Sequence, residues 1–421
     1  MNENADSTKN ELLQIAEDRE HVISSSLSMY AEILRTEPTQ QIELGTAERK
    51  KVYDGFEWPC DPGTIKMIIS DVDGTIVDSS TGKDRIDDRL AGAFHAFERL
   101  GGNVGFATGR SWSMLKPVID NLGLIGPKAM DKRLNTAEGN GDIFATKFNE
   151  YFLAATSHSM AAVDGGSRIV DMDGETIWGV PIDKTAVTKV VEQLNSHGLT
   201  SVFWSNDKMD FTRQDLDTGW DLKDLDLSSD VFFLGVRAIG LDRKVVKEIA
   251  DSIMSNVEGI NVSVAEAQYN PGFCDLHITD QNATKKNAAM KMMELTGVKR
   301  SETVAAGDGG NDESLFEACG VRYAVGNAVQ SLKDNADIVG PSIITDDSVE
   351  KGEVDPLQKH GFVYLLETIG LERYRAEVIR IGRIGLILSA YGDDGIQHTF
   401  RLADPSNPVD LYFGKPSLTK H

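Results

Sequence analysis

Two carboxylates stand two residues apart where an apolar run stops: Ile65-Lys66-Met67-Ile68-Ile69-Ser70 leads into Asp71-Val72-Asp73-Gly74-Thr75. At one site both cannot cheaply stay ionised unless a cation neutralises one and the other holds a proton. Under that condition Asp71 reads as a nucleophile and metal ligand, and Asp73 as a general acid and base. Gly74 frees the backbone to turn away. A plain strand-ending turn uses the same residue types, so the pentapeptide alone leaves both readings open.

Three further groups offer matching chemistry. Ala107-Thr108-Gly109-Arg110 again follows an apolar run. A hydroxyl and a free N–H beside glycine donate to phosphate oxygens, and Arg110 pairs with an anion bidentately. A capped helix start explains the same four residues. In the pair Lys285-Lys286, one ammonium would neutralise phosphate and the attacking carboxylate, although two lysines at a helix start also suit a solvated face. Gly307-Asp308-Gly309-Gly310-Asn311-Asp312 sets Asp308 and Asp312 as hard oxygen ligands on a tight loop, which suits magnesium. Asn311 would hold Asp308, Lys286 or a phosphate oxygen.

The elements that must position these groups alternate. The patterns predict a strand over 65–70, a helix over 87–100, a strand over 103–107 and a helix over 112–122. After residue 280 the rhythm resumes with a helix over 283–296, a strand over 303–306 and a helix over 313–319. Strand–helix alternation argues for a parallel sheet with helical crossovers, and each polar group falls at an element end, where such sheets bind ligands. Between the halves, strand pairs and two helices, 184–197 and 242–256, suggest an α+β module. The expected organisation is an N-terminal helical extension (1–62), a first core segment (63–130), an insertion and cap (131–279), a second core segment (280–370) and a C-terminal extension (371–421). An amphipathic helix over 9–36 is expected in the first of these.

The chain has 421 residues and a formal net charge of -23. That balance argues against a nucleic-acid partner, which needs a basic face. It allows a small phosphorylated substrate, because a bound cation and a few basic side chains reverse the sign locally. Cys60, Cys274 and Cys319 are odd in number and without CxxC spacing, so no disulfide framework is expected. The polar start and the lack of a long apolar stretch lead us to expect a cytoplasmic protein with no transmembrane segment.

As an ordered set, the four groups resemble the motifs of the haloacid dehalogenase superfamily. Asp71 to Thr75 looks like its nucleophile motif and Thr108 its second. Lys286 is similar to the third-motif lysine, with Lys285 next door leaving the register open, and Gly307 to Asp312 matches the acidic fourth motif. The resemblance extends to the Cof-type sugar-phosphatase branch through Ala107-Thr108-Gly109-Arg110, the strand-rich insertion, and Ala324-Val325-Gly326-Asn327-Ala328. It implies a Rossmann-like α/β core with an inserted IIB-type cap, and a phosphatase working through an aspartyl-phosphate on Asp71. It also implies magnesium held by Asp71, the backbone carbonyl of Asp73, and Asp308 and Asp312. Departures are Asn287 after Lys286, where the family usually has glycine, and Asp164-Gly165 where Asn-Gly commonly opens the cap.

Competing expectations are a phosphomutase of the same superfamily and a binding or scaffold protein that has lost catalysis. In the C-terminal extension Arg373, Arg375, Arg380 and Arg383 suit an anion site, a partner or a membrane-surface helix, or a helix packed on its own core. The extensions could also carry a homo-oligomer contact.

Overall fold

The computed structural model describes residues 52–53, 56–78, 84, 86–124, 159–266, 274–344, 360–384, 387–391 and 397–401. The helix expected over 9–36 and the segment 131–158 lie outside these residues, and so do the side chains of Arg375, Arg380 and Arg383.

The central strand β1 (Met67–Ser70) is buried on both faces, as a parallel strand with helices on either side must be. Helix α1 (Asp88–Arg99) starts at Asp87, whose side chain accepts from the Arg89 N–H. It returns the chain to β2 (Asn103–Ala107), and α2 (Trp112–Leu122) ends on Gly123 at φ 73°, a left-handed stop that glycine adopts freely. The chain re-enters at β3 (Met160–Val163), β4 (Arg168–Asp171) and β5 (Thr176–Gly179).

These three strands revise the expected domain boundary. β3 pairs parallel to β2, matching Phe106 with Ala161, and β4 and β5 add antiparallel beyond it. They extend the core sheet, so the separate module begins only after Gly179. Helix-free strand pairs report antiparallel neighbours but do not say whose edge they extend.

That module comprises α3 (Lys184–Ser196), β6 (Ser201–Asn206), α4 (Arg213–Thr218), β7 (Trp220–Asp221), β8 (Val231–Ala238), α5 (Arg243–Asn256), β9 (Ile260–Glu266) and β10 (Cys274–Asp280). Its sheet runs β9-β10-β8-β6-β7. One face packs Val202, Trp204, Leu234, Val236, Leu276 and Ile278 on α3 and α5, through Val187, Val190, Val246 and Ile253. On the other face Phe203 and Phe233 meet Phe211 and, from the core helix α2, Met114. The insertion therefore sits where a IIB-type cap was expected, and it lies against the core.

The core resumes with α6 (Lys285–Thr296), β11 (Thr303–Gly307), α7 (Glu313–Ala318), β12 (Val321–Ala324), α8 (Gln330–Asn335), β13 (Ile338–Val339) and α9 (Gly361–Ile384). The full core sheet runs β13-β12-β11-β1-β2-β3-β4-β5, parallel from β13 through β3. Its neighbours β1, β11 and β2 thus deliver three polar loops to one edge. Helix α9 runs through the expected boundary at residue 370, with Phe362, Leu365, Leu366 and Ile369 buried in the core. Arg373 packs on its own core: it donates to the carbonyls of Leu100 and Ile65 and lies over the Phe97 ring. Among the described residues no helix is long and apolar enough to cross a membrane.

Candidate active site

Asp71 leaves β1 with its N–H bound to the Ala306 carbonyl of β11 at 2.9 Å. The chain then turns at once: Gly74 N and Val77 O close at 2.8 Å. Gly74 has φ 77°, and a Cβ placed there would lie 2.2 Å from Oδ2 of Asp308. Only glycine lets the first loop approach the β11 loop this closely. Asn327 ties the same turn down by donating to the Gly74 carbonyl at 2.8 Å.

The β11 loop is held by Asp312. One of its oxygens accepts the N–H groups of Asp308 and Gly309, each at 3.0 Å. The other accepts from Lys285 Nζ at 2.7 Å, and the same ammonium lies 2.5 Å from Oδ1 of Asp71. Thr75 completes the cluster, donating to Oδ1 of Asp308 at 3.3 Å.

The lysine is therefore Lys285, and the expectation for Lys286 is corrected. Lys286 lies on the surface against Glu317 at 2.7 Å. The physical cause is helical phase. Thr284 caps α6, and successive residues on a helix point about 100° apart, so only one of the pair faces the site. Lys285 shares its face with the buried Ala288, Ala289 and Met292.

Thr108 is fully buried at the end of β2. Its backbone is held by Ala162 and Gly165, and its Oγ1 accepts the Arg110 N–H at 3.1 Å. Gly109 is exposed, with open space where a Cβ would stand. Arg110 corrects a second expectation, that it binds phosphate. Its Nε and Nη2 donate to Asp73 at 3.0 and 2.6 Å, its Nη1 and Nη2 to Asp84 at 2.8 and 2.9 Å, and its Nη1 also to the Met114 carbonyl at 3.4 Å. A guanidinium has five N–H donors, and all are used. Asn311, expected to hold Asp308, Lys286 or phosphate, is exposed on the rim of the loop beside Gly309.

Sequence reasoning missed Asp84 and Asn327 as site residues. Asp84 falls in a turn-rich link with no periodic pattern, and only the tertiary fold brings it to Arg110.

The electrostatics follow from burial. One ammonium is shared among carboxylates taken out of water. Burial pushes the Asp71 carboxyl well above the usual carboxylate range, against the pull of Lys285. Burial, with Asp312 adjacent, pushes Asp308 up to about 6. Burial works against the charge on Lys285, but Asp71 and Asp312 outweigh it and hold the amine above its usual value.

Ligand atoms of Asp71, Asp308 and Asp312 lie within 4.8 Å of one another. Three ionised carboxylates and one lysine leave two negative charges uncompensated, the complement of a divalent cation, and oxygen donors are the ligands magnesium takes. The residues fit such an ion. Asp312 already spends its oxygens on loop amides and Lys285, so Asp71 and Asp308 have the freer lone pairs.

A family model described as haloacid dehalogenase-like hydrolase matches residues 68–351, a span that includes every residue of this cluster. The chain belongs to the haloacid dehalogenase-like hydrolases. It is a phosphatase of that family. It is similar to the putative phosphatase YkrA of Bacillus subtilis, 24% identical over 311 residues, which cover 73% of this chain and 98% of the relative. The 5-amino-6-(5-phospho-D-ribitylamino)uracil phosphatase YcsE of the same organism is 24% identical over 290 residues, 68% of this chain and 92% of the relative. Among solved structures, a haloacid dehalogenase-like hydrolase from Bacteroides thetaiotaomicron aligns with a TM-score of 0.51 at 19% identity, covering 72% of this chain and 99% of that one. That likeness concerns the fold.

Proposed function

We propose that this haloacid dehalogenase-like phosphatase is magnesium-dependent and hydrolyses a small phosphorylated metabolite, a sugar or polyol phosphate, through an aspartyl-phosphate on Asp71. The observation that carries the reading is Lys285 seated between Asp71 and Asp312, with Asp308 completing the carboxylate cluster. The polyol-phosphate class is supported by the relative YcsE, whose name specifies a phosphorylated ribityl chain. Three free cysteines suit a cytoplasmic setting.

In the first step an oxygen of Asp71 attacks phosphorus while the bond to the leaving oxygen breaks, and Asp73 gives that oxygen its proton. In the second, Asp73 takes a proton from water as the water oxygen attacks phosphorus. The bond to Asp71 breaks and inorganic phosphate leaves. Lys285 offsets charge on the attacking carboxylate and the transferring group, and the Thr108 hydroxyl donates to a phosphoryl oxygen. Asp71 and Asp308, with Asp312 and the Asp73 carbonyl, would hold magnesium, which supplies Lewis-acid stabilisation of phosphoryl oxygens when bound. The cap against α2 excludes bulk water from the cleft.

The test is phosphate release from a panel of phosphorylated metabolites, with and without magnesium, for wild type and Asp71→Asn. The expected result is magnesium-dependent release that falls by ~10³-fold or more in the variant. Release that survives in Asp71→Asn, or that ignores magnesium, would overturn the proposal. Transfer of phosphate to added sugar without release would replace it with a mutase.

A further inference from the structure

Arg110 is clasped from two sides. Asp73 takes its Nε and Nη2, and Asp84 takes its Nη1 and Nη2, both bidentately. The arginine side chain is only 3% exposed, so its planar fork has one orientation, and that orientation fixes the carboxylate of Asp73. Asp84 has a second partner from outside the core. Nη2 of Arg213, the first residue of cap helix α4, lies 3.4 Å from its Oδ1.

The same short stretch of cap grips the core segment around Arg110 in two more places. Ser111 and Ser113 both donate to the Phe211 carbonyl, at 2.5 and 2.7 Å. Ser205 donates at 2.8 Å to Asp164, whose own N–H is bound to the Arg110 carbonyl at 2.8 Å. The cap thus docks on the segment that carries Arg110.

We propose that Asp84 and Arg213 are positioning residues: Arg213 of the cap holds Asp84, Asp84 orients Arg110, and Arg110 sets Asp73 as the acid that protonates the leaving group. Leaving-group protonation thereby depends on a docked cap. The inference rests on the reading of Asp73 as general acid given above. Without Asp84, two donors of a buried guanidinium lose their partner, and more of its charge falls on Asp73, which favours the ionised carboxylate over the proton-bearing acid.

Leaving groups separate this role from a merely structural one. An alkoxide needs its proton in the transition state, whereas p-nitrophenolate leaves without one. The experiment compares kcat/KM, which reports phosphoryl transfer to Asp71, for the best alkyl phosphate of the panel and for p-nitrophenyl phosphate. Asp84→Asn and Arg213→Gln are expected to lose ~10-fold or more on the alkyl ester and less than about threefold on the aryl ester, as weakened general acid catalysis requires. Arg213→Lys, which keeps the charge, should recover most of the alkyl activity. Asp73→Asn is the reference. If it loses the alkyl ester selectively while Asp84→Asn and Arg213→Gln lose both esters equally, or neither, the positioning role is wrong. If Asp73→Asn itself shows no selectivity, the acid assignment fails and the inference fails with it.

Discussion

Lys285 Nζ lies 2.5 Å from Oδ1 of Asp71, and both side chains are almost wholly buried. An ammonium in that position compensates a nucleophile that water cannot reach. Removing it leaves Asp71 and Asp312 as unpaired buried carboxylates, a strongly destabilising change in a protein interior. Lys285→Ala is therefore expected to lower kcat/KM for phosphate release by ~10²-fold or more. Lys286→Ala, which gives up only an exposed pair with Glu317, should stay within about twofold of wild type because such pairs contribute little. Equal losses in the two variants would show that the site does not depend on which lysine faces it.

Gly74 offers a test of the approach between the two acidic loops. A methyl group there meets Asp308 at 2.2 Å on a backbone with φ 77°. Strain at that φ costs about 1 kcal/mol, which a folded domain tolerates, but the Asp308 carboxylate must swing away from its place in the cluster. Gly74→Ala should keep a cooperative thermal transition and lose ~10²-fold in turnover, since misplacement by about 1 Å has that effect. Circular dichroism beside the phosphate assay reads both. Full activity would mean that the Gly74–Asp308 contact does not belong to the working geometry.

These residues differ in how far sequence exposes them. Asp71, Thr108 and Asp308 each end a buried apolar run, and a polar residue at that point is legible because hydrophobic burial defines where the strand stops. Lys285 was legible in principle from phase: it lies three, four and seven residues before Ala288, Ala289 and Met292, the buried ridge of α6. Asp84 was not legible, because its meaning comes from a guanidinium 26 positions away. The strand Met160–Val163 shows a third limit. Its composition marks it as buried, but its partner is Gly105–Ala107, and pairing across an intervening helix leaves no local signature.

Magnesium should act on stability as well as rate. The carboxylate oxygens of Asp71, Asp308 and Asp312 lie within 4.8 Å of one another, and burial opposes the ionisation of Asp71 and Asp308. A divalent cation that binds only the folded state relieves that conflict, adding about 2.7 kcal/mol at a hundredfold excess over Kd. Differential scanning fluorimetry is expected to show Tm rising with magnesium for wild type and staying flat for Asp308→Asn. A variant whose Tm rises as far as wild type would place the cation elsewhere.

Asp164 makes the pH dependence testable away from the carboxylate cluster. It is fully buried with φ 55°, the one non-glycine residue with positive φ among the described residues. Arg168 Nε donates to it at 2.8 Å, and Asp210 competes for the same guanidinium. Burial, outweighing Arg168, pushes its carboxyl up to about 6. A carboxyl whose folded pKa lies above the ~4 of the unfolded chain holds its proton more tightly when folded. Its contribution to stability is complete below about pH 4 and is lost as pH rises through about 6. Asp164→Asn cannot lose a proton, and asparagine tolerates a left-handed backbone. Burial shifts Asp71 and Asp308 in the same direction, so the informative quantity is the difference between the two Tm curves rather than either slope. Between about pH 4 and about pH 6, wild type should lose Tm relative to the variant, and above that the difference should level off. Parallel curves would mean that Arg168 keeps Asp164 ionised throughout, and that the Asp164–Arg168 ion pair is permanent.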